Sequence, residues 1–451
     1  MANTYLQRTQ SGTETDSKKA TISAWVKLSQ SVGNFNAGIF GTYVAGNYGA
    51  DGNSQIGWYN GGLYAWFKDG GSTYYKQEST RRFRDNNAWY HVVYRFDMTQ
   101  STASNRIRVY LNGEEITSWA ATNNPGSTQN IQMNNGGRIV RVGTYNFLNG
   151  THNYLDGLMS HFYFCDGYSY APTEFGETDS ITGEWKIKTS TNVNHGTNGF
   201  LILKDGNTIT DQSANSNDFV VDYGTLTKTE DNPSNIFATF NALIGKHSNG
   251  NTLVPNLDSG NTDAWINSSE WRIAQSTLGA SSGKYYAEFK QSNDYGTDYA
   301  YIGIWDIDAY AQKISGYPYL ADMANCYGLY NANGNVWTGS TNSSYGVSYA
   351  QNDIIGCAMD LDNNKIYWSK NGTWMNSANP SSGTGGYSIT ANKTYAMGVQ
   401  LYNNAFRANF GNGYFGTTAV SSAGTNASGN GIFEYDVPTG YTALSTKGLN
   451  E

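Results

Sequence analysis

Period-two alternation of apolar residues, punctuated by Asn-Gly pairs, limits most strongly what this chain can fold into. In Ala20-Thr-Ile-Ser-Ala-Trp-Val-Lys-Leu, residues Ile22, Ala24, Val26 and Leu28 fall on one face. Trp89-Tyr-His-Val-Val-Tyr-Arg-Phe-Asp and Asn105-Arg-Ile-Arg-Val-Tyr-Leu alternate alike. Side chains of a strand point to opposite faces in turn, so one apolar face marks a half-buried antiparallel strand. Asn112-Gly113 sits between two such runs. A two-residue hairpin turn needs positive φ at both positions, which Asn and Gly adopt at low cost. Arg138-Ile-Val-Arg-Val-Gly and Gly157-Leu-Met-Ser-His-Phe-Tyr-Phe-Cys add strands, and Pro172-Thr-Glu-Phe-Gly reads as one closing helical turn. The pattern resumes at Gly283-Lys-Tyr-Tyr-Ala-Glu-Phe, Tyr299-Ala-Tyr-Ile-Gly-Ile-Trp and Asp353-Ile-Ile-Gly-Cys-Ala-Met-Asp-Leu-Asp. Lys365-Ile-Tyr-Trp-Ser-Lys is a return strand, and Asn371-Gly372 is a second tight turn.

Composition agrees. Charged residues are 14% of the chain, against about 25% in an ordinary soluble domain. Helix formers are scarce and turn residues abundant, which excludes coiled coil and helical bundle. The expected fold class is all-β, with two antiparallel β-sandwiches joined by an ordered connector. The expected domains are 1–176, a connector at 177–260, a second sandwich at 261–437, and a tail at 438–451 that runs across a surface. The connector carries apolar anchors such as Gly199-Phe-Leu-Ile-Leu and Asp218-Phe-Val-Val, which a flexible linker would lack.

The net charge of −8, without any Lys/Arg block, argues against nucleic acid and anionic membranes as partners. No run reaches the roughly 18 apolar residues of a membrane helix. The start is polar, unlike a signal peptide, so synthesis in a cytoplasm without export by that route is expected. Cys165, Cys326 and Cys357 are too far apart for a CxxC metal pattern or a disulfide framework and read as buried thiols.

The first unit resembles laminin-G-like, concanavalin-A-like jelly rolls. The carrying residues are Thr21-Ile-Ser-Ala-Trp-Val-Lys, Trp89-Tyr-His-Val-Val, Val109-Tyr-Leu-Asn-Gly, Val142-Gly143 and Tyr154-Leu-Asp-Gly-Leu-Met. The second unit resembles SPRY domains. It carries Ser282-Gly-Lys-Tyr-Tyr-Ala-Glu-Phe, Tyr301-Ile-Gly-Ile, Tyr327-Gly328, the run from Asp353, Ile366-Tyr-Trp-Ser-Lys-Asn-Gly and Asn409-Phe-Gly. The whole chain also resembles virion proteins of tailed bacteriophages of the marine type. That likeness includes Phe175-Gly-Glu-Thr-Asp-Ser-Ile-Thr-Gly-Glu-Trp, Asn235-Ile-Phe-Ala-Thr-Phe-Asn and the ending Pro438-Thr-Gly-Tyr-Thr-Ala-Leu-Ser-Thr-Lys-Gly-Leu. It implies a tail-fibre or spike-type surface protein of the virion that binds host-surface glycan or protein. The alternative is a capsid decoration or tail connector protein contacting other virion subunits. Homo-oligomers are expected either way. Polysaccharide depolymerase is the weakest reading.

No enzyme is expected. Retaining glycosidases need two carboxylates about 5–5.5 Å apart. The nearest match to a Glu-x-Asp-x-x-Glu strand is Glu177-Thr-Asp179-Ser-Ile-Thr182, which lacks its last carboxylate and lies in a loop between Gly176 and Gly183. Glu114-Glu115 point to opposite faces, and Asp360-Leu-Asp362 occupies a turn. His91 and His161 read as sheet residues. No cofactor is required; the laminin-G likeness makes calcium the ion that loop oxygens could hold, with Asp51, Asp69, Asp85 and Asp156 as candidates. The candidate ligand-binding rings are Trp58, Tyr59, Trp66 and Tyr75 in the first unit. In the second they are Trp337, Tyr345, Tyr349 and Trp374. Flat rings with a polar edge suit sugar faces, and they suit protein interfaces as well.

Overall fold

The alternation at residues 20–28 sets the first layer. Ile22, Ala24 and Val26 are wholly buried and Leu28 is nearly so. Their strand, Lys19–Leu28, lies inside a six-stranded sheet. The order runs Phe200–Ile202, Gly157–Asp166, Lys19–Leu28, Trp89–Asp97, Ile107–Leu111 and Glu114–Glu115. A second sheet of eight strands runs Trp119–Asn123, Tyr74–Ser79, Gly62–Lys68, Ser54–Tyr59, Ala37–Tyr43, Ile139–Val142, Tyr5–Thr9 and Val220–Tyr223. Apolar side chains of both sheets form one core, with Phe40, Trp58, Phe67, Tyr94 and Phe96 among its largest members. Burying each such side chain contributes about 1.5–3 kcal/mol. This computed structural model describes residues 4–29, 35–44, 53–69, 74–85, 87–146, 152–204, 208–243, 254–308, 320 and 323–450.

The chain divides into two units, Met1–Lys228 and Thr229–Glu451. The stretch expected to be a connector therefore belongs partly to each. Phe200–Ile202 and Val220–Tyr223 complete the two sheets of the first unit. Ala238 and Phe240 enter the core of the second. The apolar anchors that distinguish this stretch from a linker are what draw it into the sandwiches.

The second unit is organised by two long, bulged strands, Lys284–Asp306 and Tyr395–Asn409. The first half of Lys284–Asp306 pairs with Ile354–Asp360, and its second half with Tyr327–Tyr330. One strand thus passes between two layers, bending at irregularities near Gln291 and between Asp294 and Tyr299. The sheet order is Asn256–Asp258, Asp263–Ala280, Tyr395–Asn409, Lys284–Asp306, Tyr327–Tyr330, Asn335–Thr338 and Thr341–Ser344. The tail corrects the expectation of a surface run: Tyr441, Ala443 and Leu444 are buried, and Thr442–Ala443 pairs with Tyr285 and Tyr286.

Both units close a hairpin with the same Asn-Gly device. Asn112 (φ 48°) and Gly113 (φ 82°) turn the chain after Leu111. The Asn112 amide N–H donates to the His91 carbonyl (2.8 Å), while its Oδ1 accepts from the His91 N–H (2.9 Å). Asn371 (φ 48°) and Gly372 (φ 80°) repeat this against both backbone groups of Ile354, each at 2.8 Å. The side chain ties off the backbone group at the neighbouring strand's end. The fold class is as expected: half strand and 5% helix, in several antiparallel sheets. Pro172–Glu174 forms the expected helical turn, and the three cysteines are free and buried.

Candidate functional site

Strand parity decides which side chains leave the core of the eight-stranded sheet. In Ile139–Val142, Val140 and Val142 face inward, so Arg141 faces outward. Its register partner Gln7, and Tyr5 two residues before, share that outer face because Leu6 between them faces the core. The edge strand Val220–Tyr223 adds Asp222 and Tyr223 beside Tyr5. The hairpin Thr144–Asn146 with His152–Tyr154 adds His152 and Tyr154.

These residues form a row of nearly parallel rings. Tyr5 stacks with His152 at 5.7 Å, with Tyr154 at 6.2 Å and with Tyr223 at 6.1 Å, all within 27° of parallel. His152–Tyr154 and Tyr154–Tyr223 close the set at 5.4 and 6.2 Å. Tyr223 is 54% exposed. The Arg141 guanidinium lies 4.5 Å from the Tyr5 ring centre and 4.6 Å from that of Tyr43. Its Nε donates to Gln7 Oε1 (2.9 Å), which also accepts from the Tyr43 hydroxyl (3.1 Å). Nη1 of Arg141 is buried without a hydrogen-bond partner. Arg141 also lines a shallow groove, enclosing about 10 Å³, with Thr42, Tyr43, Asn53, Ser54 and Gln55.

Charge is unevenly set across this face. Burial, then the hydrogen bond to Asp222 (2.7 Å), pushes the Tyr5 hydroxyl up to about 12. Burial and then the nearby Arg141 hold the His152 imidazole below its ordinary range. At neutral pH the cluster therefore presents the Arg141 cation beside neutral rings, with the Asp222 carboxylate engaged by Tyr5.

A second ring row lies in the other unit. Trp271, Tyr299, Tyr301, Tyr330 and Tyr402 contact one another at 4.9–6.3 Å. Trp337 meets Tyr301 and Tyr330 edge-on. Tyr299 is its most open member among these, at the margin of exposure. Arg272, next to Trp271, is paired with Glu270.

Most rings singled out from sequence do other work. Trp58 is wholly buried and edge-on to Phe83. Tyr75, Tyr345 and Tyr349 are buried in the two cores. Tyr349 donates to the Leu329 carbonyl at 3.1 Å. Trp66 points away from the core yet is only 6% exposed, tilted against Tyr74 at 6.0 Å. Trp58, Trp66 and Tyr75 sit on strands with a neighbour on each side and are covered whichever face they take, whereas Tyr345 and Tyr349 lie in the loop after Thr341–Ser344, which folds onto the core. Tyr59 is half-buried against Tyr64 (5.1 Å), and Trp374 half-buried against Tyr286 (6.3 Å). Trp337 alone joins a ring row. The missed residues Tyr5, Arg141, His152, Tyr154 and Tyr223 left one sequence signal: Arg141 alternates with Val140 and Val142, placing a cation on an outer face of a chain poor in charge.

Among the described residues the carboxylate candidates do not converge. Asp51 lies outside the described residues. Asp69 accepts from the Asn130 N–H (2.8 Å) and the Gln132 side chain. Asp85 closes a local turn by accepting from the Asn87 and Ala88 N–H groups. The Asp156 carbonyl accepts from Ser29. Among the described residues no three His, Cys, Asp or Glu side chains gather as metal ligands. Glu177 and Asp179 lie not in an open loop but on and just after the short strand Gly176–Thr178, which pairs with Trp185–Ile187. Both are ion-paired to Lys186 there, at 3.5 and 3.1 Å.

His91 is a sheet residue, as expected. It stacks on Trp25 at 4.9 Å, contacts Ser23 Oγ through Nε2 (2.9 Å), and accepts the Trp185 indole N–H (3.0 Å). Burial pushes its imidazole down to about 3. His161 contacts Ser160 Oγ through Nδ1 at 2.8 Å.

Family models match both units. Residues 2–168 match the concanavalin A-like lectin/glucanases superfamily, and residues 285–412 match the SPRY domain. Among solved structures, the chain is similar to the SPRY domain of human HERC1 (17% identity, 31% of this chain and 83% of that one, TM-score 0.22). It is also similar to a human SPRY domain (17%, 33% and 90%, TM-score 0.23). A heptameric SAP-like pentraxin from Limulus polyphemus matches at 15% identity over 50% of this chain and 89% of that one, with a TM-score of 0.32. No curated protein matches the chain. The chain carries a concanavalin-A-like lectin/glucanase-superfamily domain followed by a SPRY domain.

Proposed function

We propose that this chain is a recognition protein on the surface of a tailed-phage particle, acting by binding rather than by catalysis. In this reading the concanavalin-A-like unit binds host-surface glycan through the outer face of its eight-stranded sheet. The observation that carries it is the row Tyr5, His152, Tyr154 and Tyr223 beside the Arg141 fork and its polar groove. Rings offer apolar faces to sugar C–H groups, and the groove's amides and hydroxyls suit sugar hydroxyls. The virion setting is supported by the likeness of residues 175–185 and 235–241 and of the ending to phage virion proteins. The test is binding of the purified chain to host cells and to an array of host glycans. Retention on cells, weakened by Tyr223→Ala, supports the reading; no binding to either at high concentration removes it.

A second reading is favoured by the edge strand Val220–Tyr223. Val220 and Val221 are 60% and 38% exposed on a strand that has one sheet neighbour among the described residues. Such an edge suits pairing with another virion subunit or a second copy of the chain. Imaging of labelled particles separates the two: copies spread over the head or ringing the tail support decoration, and copies only at distal fibre tips support host recognition.

A further inference from the structure

We propose that Arg141 forms an anion subsite that selects acidic saccharides, recognising an oxyanion on the sugar through its two terminal nitrogens. This deepens the glycan-binding reading and rests on it. Arg141 is 8% exposed, and among the described residues it has neither an ion-pair partner nor any hydrogen bond beyond that of Nε to Gln7. A buried cation without a counter-charge is unfavourable unless something else supplies the charge. Among the described residues no carboxylate lies within ion-pair distance of Arg141; the Asp222 carboxylate, on the same face, is turned to the Tyr5 hydroxyl, and burial holds His152 below its ordinary range.

The fork is also held in place. Tyr5 and Tyr43 pack on the guanidinium, and Gln7 fixes Nε, so the plane of Arg141 is set before a ligand arrives. A guanidinium offers two parallel donors matched to the spacing of carboxylate oxygens, which an ammonium cannot do. Pre-setting that plane removes part of the ordering cost of binding. The groove that Arg141 lines encloses only about 10 Å³, room for about one water-sized group. That admits a charged substituent rather than a whole sugar ring, and leaves the ring to lie over Tyr154 and Tyr223. The shared chemistry is an oxyanion on a sugar, which could be a uronate-type carboxylate or a sulfate ester. The planar fork favours the carboxylate.

The experiment titrates the full chain, at constant salt, with a glucuronate-containing oligosaccharide, its carboxyl-reduced form, and a sulfated neutral oligosaccharide. The expected result is about tenfold or greater preference for the carboxylate over its reduced form. Arg141→Met keeps a stem between Tyr5 and Tyr43 and should abolish the preference. Arg141→Lys keeps the charge without the fork and should restore only part of it; it also serves if the Met variant fails to fold. Preference for the sulfated probe alone also supports the anion subsite and assigns its source to sulfate. Equal binding of all three probes, a preference that survives in folded Arg141→Met, or no binding of either acidic probe would overturn it. Neutral-glycan binding untouched by Arg141→Met removes this inference and leaves the glycan reading standing. Failure to bind any glycan or host cell ends both.

Discussion

The two units carry ring rows of similar size, and they differ in charge. In the first, Tyr5, His152, Tyr154 and Tyr223 surround a cation whose Nη1 is buried without a hydrogen-bond partner. In the second, Trp271, Tyr299, Tyr301, Tyr330 and Tyr402 pack mainly on one another, and among the described residues no cation lies over them; Arg272, next in the strand to Trp271, points to the opposite face. Rings alone make a flat, adaptable surface whose affinity comes from area. Rings around a free fork add a demand for charge. The first face therefore suits a ligand of defined chemistry, and the second suits a broad apolar contact.

The units are alike in a different respect. Each uses one buried carboxylate to tie distant segments together. Asp166 accepts from the Thr15 and Asn198 N–H groups (3.0 Å each) and from Asn134 Nδ2 (2.6 Å). Glu288 accepts from the N–H groups of Glu434 (2.9 Å) and Tyr435 (2.8 Å), from the Tyr286 hydroxyl (3.1 Å) and from Asn409 (3.3 Å). The largest effects are expected here. Asp166→Ala and Glu288→Ala each strand buried donors and should cost about 3–5 kcal/mol in urea unfolding, with the larger loss at Glu288. Losses below about 1 kcal/mol at both sites would break the likeness between the units.

The next effect is read by pH at the Glu288 clamp; burial raises the Asp166 carboxyl in the same direction. Burial raises Glu288 from its ordinary 4.5 to about 7, against the pull of its donors. The folded state thus binds this proton more tightly than the unfolded state. Stability from this group is highest below about 4.5 and falls as pH rises through about 7. The difference in denaturant midpoint between wild type and Glu288→Gln should shift in that direction across pH 4.5–7. A difference independent of pH would show that the donors, not burial, dominate.

Smaller losses test the shared turns. Asn112→Ala and Asn371→Ala each remove a side-chain acceptor for a strand N–H and place Ala at positive φ. About 1–2 kcal/mol is expected at each, read by thermal unfolding. The smallest change in stability, and the sharpest contrast in binding, belongs to the ring rows. Tyr223→Ala should leave the melting temperature nearly unchanged and weaken saccharide binding roughly three- to tenfold. Tyr299→Ala should leave saccharide binding unaltered. Equal losses from both would erase the distinction between the faces.

Much of the fold was legible in sequence because its cause is local. Alternation in residues 20–28 and 89–97 placed those strands and their buried faces. Asn112-Gly113 and Asn371-Gly372 named their own turns through φ. Asn60-Gly61, which turns Ser54–Tyr59 into Gly62–Lys68 in the same way, passed unnoticed. The site was barely legible. Alternation tells that Trp58 and Tyr59 point opposite ways, not which way is covered, since that depends on the neighbouring strands and sheet. The tail 438–451 misled because its few apolar residues are decisive only against the Lys284–Asp306 strand they meet.

The sequence by itself determined the strands, the tight turns and the two-sandwich plan, because backbone sterics and side-chain alternation act over a few residues. Only the tertiary structure decided where recognition chemistry gathers. Tyr5 and Asp222, hydrogen-bonded at the centre of the candidate face, stand 217 residues apart. Arg141 gains its meaning from the rings packed on it and from an Nη1 left without a partner among the described residues. Such a juxtaposition is set by sheet order and register, and these emerge only when the whole core packs.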